Sequence, residues 1–283
     1  KQVESNIDSY KIKKQLQNQK SYNLFGSFAY ILDSNVNLGP SIDTITMYNV
    51  DFTLSNDAKK SDDTAISLRA GGEYFNEYKD FALKTLLLAN KVDYSDKNDY
   101  DTTTLSLIAS PMIFRDDTLY MLPLTYSNID IGTTDSYLTY IALNPMLKRS
   151  MSESIIYSIK LNLDKKEYKN LSQKDGLTYG LTYGLEFIED KTSSINVDTY
   201  FNKNDSKDDI YSYFNMGVRL AYSNTIYPRV FFIGNMNYET SSYEKAEDAF
   251  STKKDENNLN GSVNFVYDLN YYNSNLMFSH YRQ

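Results

Sequence analysis

Apolar and polar residues alternate with a period of two along most of this 283-residue chain. In residues 177–187 every second residue is Leu, Tyr or Phe, and Thr, Gly or Glu stands between them. In residues 259–269 Leu, Gly, Val, Phe and Tyr alternate in the same way, mainly with Asn, Ser and Asp. Successive side chains of a strand point to opposite faces, so each segment has one apolar face and one polar face. About a dozen such segments in one chain predict an all-β fold, a transmembrane antiparallel up-and-down β-barrel.

The segments and the connections between them predict thirteen strands. The predicted strands cover residues 21–36, 63–76, 79–93, 100–113, 117–127, 136–147, 152–164, 176–188, 193–202, 210–222, 227–239, 258–269 and 271–282. Long connections follow the odd-numbered strands, including 37–62 and 128–135, and tight ones follow the even-numbered strands. Outer-membrane barrels have short periplasmic turns and longer extracellular loops. The alternation therefore predicts that the N-terminus of the barrel lies in the periplasm.

Two segments need a separate interpretation. Residues 43–54 could form a strand, but that would break the alternation of loop lengths, so we assign 37–62 as a long extracellular loop with a hairpin of its own. Thirteen strands cannot close an antiparallel barrel in the usual way, so we expect fourteen in the intact barrel, with one more strand after Gln283.

Residues 1–20 are polar and lack Gly and Pro. They are predicted to be a short helix or the tail of a helical domain upstream of the barrel, which covers 21–283.

Composition changes this picture little. The mean hydropathy is −0.53, and no apolar run approaches the roughly 20 residues that a spanning helix needs. The 27 tyrosines and 14 phenylalanines suit the aromatic girdles of a barrel, although a tyrosine-rich soluble β-sandwich or fibre-like domain is the alternative. The net charge of −8 argues against a nucleic-acid partner, which needs clustered Lys and Arg. These features predict location in the bacterial outer membrane, in contact with its lipid.

Catalytic and metal-binding signatures are scarce. The single histidine, His280, would have to serve any Ser–His hydrolase site, and its sequence neighbours offer no evident carboxylate partner. A zinc site is not expected with no Cys and one His. The acidic stretch 205–209 (DSKDD) could offer oxygen ligands to calcium but lacks a regular ligand spacing, so simple solvation is favoured. We therefore expect no enzyme activity and no cofactor.

The polar phase of the strands defines candidate functional residues in the barrel interior. A charged side chain on the lipid side near the bilayer midplane costs about 2–4 kcal/mol for Arg or Lys, so charged residues within strands are assigned to the lumen. The lumen-facing candidates for a substrate path are Arg69, Glu73, Lys160, Glu186, Asp198 and Arg219. They could form charge pairs that stiffen a hydrated wall, or line a path that a substrate touches in transit.

Several stretches resemble the C-terminal barrel of the surface lipoprotein assembly modifier family. They are 33–37 (DSNVN), 43–45 (DTI), 52–55 (FTLS), 100–107 (YDTTTLSL) and the glycine-rich 175–184. The resemblance runs over most of residues 21–283. Members of that family carry a periplasmic tetratricopeptide-like helical domain before the barrel, to whose tail residues 1–20 could belong. They also end on a strand with an aromatic last residue, which this chain lacks.

The resemblance implies a fourteen-stranded outer-membrane barrel that assists translocation or display of lipoproteins on the cell surface. It also implies a client surface lipoprotein as partner, with periplasmic chaperones as further candidates. A passive porin-like channel or a polysaccharide export pore is the alternative function, and an outer-membrane lipase comes third.

Overall fold

A computed structural model of the protein describes residues 20–190, 192–228, 230–249, 252–268 and 275–282, with side chains through Phe265. The strands are β1 (Ser21–Asp33), β2 (Thr44–Met47), β3 (Val50–Thr53), β4 (Asp63–Glu77), β5 (Ala82–Tyr94), β6 (Thr102–Arg115), β7 (Thr118–Met121), β8 (Leu124–Ile131), β9 (Thr134–Leu143), β10 (Met146–Ser150), β11 (Ile155–Tyr168), β12 (Gly176–Ile188), β13 (Ser193–Ser206), β14 (Tyr213–Tyr227), β15 (Val230–Tyr243), β16 (Asp255–Asp268) and β17 (Asn275–Arg282). Single 3₁₀ turns lie at Asn56–Ala58, Asn98–Tyr100, Ser172–Lys174 and Asp209–Tyr211.

The predicted all-β, antiparallel, up-and-down architecture is confirmed. Fifteen of these strands form one sheet that runs from β1 through β4 to β17, and β2 pairs with β3 in a separate hairpin. Both β7 and β8 pair with β6, and both β9 and β10 pair with β11. Each of these pairs is thus one broken strand, and the described sheet crosses thirteen times. The helix expected over 1–20, apart from Lys20, and a fourteenth strand after Gln283 lie outside the described residues.

The apolar phase of the strands lies on the outer face of the sheet. On β12 the side chains of Leu177, Tyr179, Leu181 and Tyr183 are 41–55% exposed, and the residues between them are turned to the inner face. Outward charges sit near the strand ends, as in the Lys165–Glu167 pair at 2.6 Å. An apolar band between charged ends is the distribution that a lipid-facing surface requires.

Contacts between strands that are not neighbours show that the sheet curls around the opposite, polar face. Lys148 of β10 reaches Glu186 of β12 at 2.6 Å, and Asn162 of β11 reaches Asn202 of β13 at 2.8 Å. Strands two places apart are separated by roughly 10 Å, so their side chains meet only on a concave face. This concave face is the inner face, and it encloses the lumen.

One predicted loop is wrong. Residues 128–135 were expected to form a long connection, but β8 and β9 are joined by a two-residue turn at 132–133. Gly132 adopts a φ of 55° there, the left-handed conformation that a tight hairpin favours and that glycine adopts without steric cost. Asn128 pairs with Thr139 within the β8–β9 ladder. The polar residues that suggested a loop are therefore the hydrated end of a hairpin.

The hairpin expected within the first loop is present as β2 and β3. The backbone N–H of Tyr48, at its tip, donates to the carbonyl of Ala249 at 2.9 Å. Ala249 belongs to the connection between β15 and β16, near the far end of the sheet order. The hairpin thus joins loops from the two ends of the sheet at the side of the molecule that carries the long connections.

The long loops are held by aspartates that accept hydrogen bonds from the preceding strand. The N–H of Tyr94 donates to Asp101 at 2.7 Å, and the N–H of Tyr168 donates to Asp175 at 2.6 Å. A further hydrogen bond from Lys207, at 2.8 Å, holds the pKa of the Asp175 carboxyl below its usual value. The first two bonds each close one loop, and the Lys207–Asp175 bond joins the β11–β12 loop to the β13–β14 loop.

Candidate functional site

The inner face of β11–β15 forms a continuous surface of hydrogen-bonding side chains, which we call the polar wall. The strand register aligns its residues in successive cross-strand rows. The first row is Asn162, Gly180, Asn202, Asn215 and Ser241; the second is Lys160, Thr182, Tyr200, Gly217 and Glu239; the third is Ser158, Gly184, Asp198, Arg219 and Asn237. Amides, hydroxyls and charges of both signs therefore occur together on one side of the lumen.

Tyr200 is the centre of this wall and is 1% exposed. Its hydroxyl donates to the Glu239 carboxylate at 2.7 Å, and the Asn215 side-chain amide donates to the same carboxylate at 3.1 Å. The Arg219 guanidinium lies 4.3 Å from the Tyr200 ring centroid, in cation–π geometry. A charge withdrawn from water is retained when it is hydrogen-bonded, and here the Tyr200 hydroxyl and the Asn215 side-chain amide both donate to the half-buried Glu239 carboxylate.

Glycine makes this arrangement possible. Tyr200 is on β13 and Glu239 is on β15, so the phenol must pass over Gly217 of the intervening β14. A Cβ at Gly217 would collide with the hydroxyl end of the Tyr200 ring. The absence of a side chain at this position therefore lets the tyrosine span two strands.

A second group of hydrogen bonds lies beside Tyr200, toward the long loops. The Asn162 amide donates to the Thr182 hydroxyl at 3.0 Å and to the Asn202 amide oxygen at 2.8 Å. The Thr178 hydroxyl donates to Asn204 at 3.1 Å. These amides bridge β11 to β13 and leave the wall with neutral donors and acceptors next to its charges.

Three of the six residues predicted from the sequence lie in the three rows of the polar wall given above. Lys160 and Arg219 line one cleft of about 260 Å³ together with Asp164, and Asp198 and Arg219 line a second of about 310 Å³. Within the described residues neither Lys160 nor Arg219 forms a salt bridge, and the buried Oδ2 of Asp164 has no hydrogen-bond partner. Polar groups with unused hydrogen-bonding capacity therefore face the lumen here.

Glu186 lies on the same inner face, nearer the tight turns. Its carboxylate accepts a hydrogen bond from Lys148 at 2.6 Å, with the two side chains 23% and 33% exposed. The sequence did not single out Lys148, because the predicted strand ended at residue 147 while β10 continues to Ser150. The pair is best described as a brace across β11.

Arg69 and Glu73 lie on the inner face of the opposite wall, on β4. Glu73 pairs with Lys84 at 2.8 Å. The same face carries apolar side chains, since Phe25 and Leu88 align with Gly71, and Leu86 aligns with Glu73. The lumen is thus two-sided, with the polar wall facing a second wall that mixes charged and apolar groups.

The structure brings together some of the predicted residues and adds others. Lys160, Asp198 and Arg219 share one wall, whereas Arg69 and Glu73 are separate from them. Sequence reasoning missed Tyr200 and Glu239, which form the centre of the wall. Their inward strand phase was readable, but a contact between alternate strands leaves no mark in the local pattern. The side chain of His280 lies outside the residues whose side chains are described.

Among the described residues, no group of three or more His, Asp or Glu side chains is arranged to hold a metal ion. No helix of the described ranges is long and apolar enough to cross a membrane.

Comparison with known proteins gives a family and a structural neighbour. The family model described as "Surface lipoprotein assembly modifier" matches residues 22–277. No curated protein matches the sequence. The crystal structure of an outer membrane channel from Pseudomonas putida F1 is similar, with 11% identity, a TM-score of 0.46, and coverage of 92% of this chain and 95% of that one.

The family match covers nearly the whole of the sheet described above, from the second residue of β1 into β17. The lipid-facing band, the polar lumen and this match agree on a β-barrel of the bacterial outer membrane. The chain belongs to the surface lipoprotein assembly modifier family.

Proposed function

We propose that this barrel assists the translocation or display of lipoproteins on the cell surface, and that it does so without enzymatic turnover. The observation that carries the proposal is family membership over residues 22–277. The residues of the lumen suit such a role, because Lys160, Arg219 and Arg69 offer cations to an extended polypeptide and the amides of the polar wall offer hydrogen bonds to its backbone.

The two parts of a lipoprotein client require different routes. The thirteen crossings of the described sheet lie between the eight strands of a filled barrel and the sixteen to eighteen of an open channel, so the lumen suits an extended chain and excludes a folded domain. Acyl chains would lose about 0.8 kcal/mol per CH₂ on leaving lipid. In our proposal the polypeptide contacts the polar wall while the acyl chains stay in the bilayer and pass beside β1 and β17, the two ends of the sheet order.

Deletion of the full-length gene tests this proposal. We expect a client lipoprotein to be made and acylated in the deletion strain but to be absent from the cell surface, and the intact gene to restore it. Surface display is measured by antibody labelling of intact cells, with lysed cells as the control for total lipoprotein. A Lys160→Glu/Arg219→Glu double variant should restore display less well than the wild type, because it reverses the charge of two unpaired cations of the polar wall.

The alternative is a passive channel or an export pore, which the hydrated polar wall would also suit. Liposome swelling separates the two functions. Normal surface display in the deletion strain, together with loss of small-solute uptake, would favour the channel and contradict the proposed role.

A further inference from the structure

The outer face of the sheet contains an apolar groove where two strands break. Pro111, Pro123 and Pro145 lie on three adjacent strand paths, β6, β7–β8 and β9–β10. Proline has no N–H to donate to a ladder, and the β7–β8 and β9–β10 breaks occur at Pro123 and Pro145. The strands remain joined through the proline carbonyls. The Pro111 carbonyl accepts a hydrogen bond from the Leu122 N–H at 3.0 Å, and the Pro145 carbonyl accepts one from the Leu161 N–H at 2.9 Å.

This interruption leaves a depression of about 610 Å³, within the range of roughly 300–1,000 Å³ typical of ligand pockets. Its lining is apolar apart from Asp80 in the β4–β5 turn, and it includes Ile113, Tyr120, Leu122, Leu147, Ile159 and Leu161. Ile113, Tyr120 and Leu122 are 44–51% exposed, and their strand phase places them on the lipid side. The groove therefore opens to the membrane.

Two arginines border the groove at its tight-turn end. The register aligns Arg115 with Thr118, and Thr118 with Arg149. Arg115, Thr118 and Arg149 thus form one cross-strand row. Ile113, Tyr120 and Leu147 form another row, two residues away along each strand, and residues two apart on a strand share a face. Arg115 and Arg149 therefore point outward, roughly 10 Å apart across one intervening strand. Both are exposed, and neither forms a salt bridge within the described residues.

The end of the barrel with the tight turns faces the periplasm. Two exposed arginines at that level of the outer face stand at the headgroups of the inner leaflet. Arginine presents a fork of donors that matches phosphate oxygens. An apolar groove with two arginines at its headgroup end is thus complementary in charge and polarity to an anionic phospholipid.

We propose that this groove is a binding site for an anionic phospholipid of the inner leaflet. One acyl chain lies along Tyr120, Leu147 and Ile159, and the phosphate lies between Arg115 and Arg149. The acylated anchor of a lipoprotein would fill the apolar part equally well, but it carries no phosphate to complement the arginines. The charge pattern therefore favours phospholipid over client.

Native mass spectrometry of the full chain with phosphatidylglycerol or phosphatidylcholine in the micelle tests the site. The wild type should retain phosphatidylglycerol in preference to phosphatidylcholine. Arg115→Gln/Arg149→Gln should lower that retention by about tenfold or more, because it removes charge-assisted hydrogen bonds to phosphate. Leu147→Trp, which fills the groove, should lower retention of both lipids.

Matched controls are available on the outer face, away from the groove. Lys165→Gln removes an outward cation at the opposite end of the barrel, and Leu181→Trp adds bulk away from the groove; both should retain lipid as the wild type does. Equal retention by the arginine and control variants would overturn the proposal. So would displacement of phosphatidylglycerol by an equimolar triacylated lipopeptide, which would make the client anchor the occupant.

Discussion

Replacement of Tyr200 by alanine is expected to lower the free energy of unfolding by about 3–5 kcal/mol, the usual range for removal of a large buried aromatic side chain. The ring is 1% exposed and fills the space between β13 and β15 that Gly217 leaves open. Its loss also removes the hydroxyl that donates to Glu239 at 2.7 Å and the surface on which the Arg219 guanidinium rests.

Tyr200→Phe separates the contribution of the hydroxyl to stability from that of the ring. It should lower the free energy of unfolding by about 1.5–3 kcal/mol, the range for a hydrogen bond to a charged group. In a double-mutant cycle, Tyr200→Phe should lower the free energy of unfolding by less when Glu239 is replaced by Gln. Equilibrium unfolding in micelles, followed by circular dichroism, measures these changes. If the alanine variant unfolds at the same denaturant concentration as the wild type, Tyr200 does not hold the polar wall together.

Replacement of Leu220 by arginine is expected to lower the free energy of unfolding by about 2–4 kcal/mol, because this residue lies near the middle of β14 on the lipid side. Its side chain is 41% exposed, and its cross-strand partner Met236 is also on the outer face. An arginine there would have to be taken out of water into hydrocarbon.

The next residue along the chain provides the matched control. Ala221 has the same strand phase as Arg219 and therefore lies on the inner face, so Ala221→Arg places the same side chain in the polar lumen and should lower the free energy of unfolding much less. The two variants are compared by the fraction that folds into vesicles and by the unfolding midpoint. Equal losses, or a larger loss for Ala221→Arg, would reverse the assignment of the two faces.

The alternation of residues was sufficient to predict the strands that carry it most regularly. Leu177 to Phe187 lie on β12 with the predicted faces, and 43–54 forms a hairpin apart from the main sheet. The thirteen crossings agree with the strand count. The pattern is informative here because each residue's face follows directly from its position, whatever lies across the lumen.

The same pattern was misleading where local polarity and backbone geometry disagreed. Asn128 and Asp130 suggested a loop, but they belong to a hairpin that Gly132 closes. The ends of strands were also misplaced by several residues, which hid Lys148 as the partner of Glu186. Strand ends at a membrane surface are polar on both faces, so hydrophobic periodicity fades before the hydrogen-bonded ladder ends.

The candidate site could be predicted only in part for a related reason. Strand phase assigns Lys160, Asp198 and Arg219 to the inside, but it does not say which inward residues meet. The contact of Tyr200 with Glu239 depends on curvature and on the glycine between them. The apolar side chains of Leu86 and Leu88 were also missed as lumen residues, because both phases of β5 are rich in leucine.

The central claim is that a client polypeptide contacts the lumen of this barrel, and site-specific photocrosslinking in cells tests it most directly. A photoreactive amino acid is placed at Asn237 on the polar wall or at Arg69 on the opposite wall, with Leu181 and Leu220 on the outer face as controls. Each variant is made in the full-length protein and checked for client display. We expect crosslinks to the client polypeptide from the two lumen positions and none from the two outer ones. Crosslinks from the outer positions alone, in cells that display the client normally, would contradict a path through the lumen.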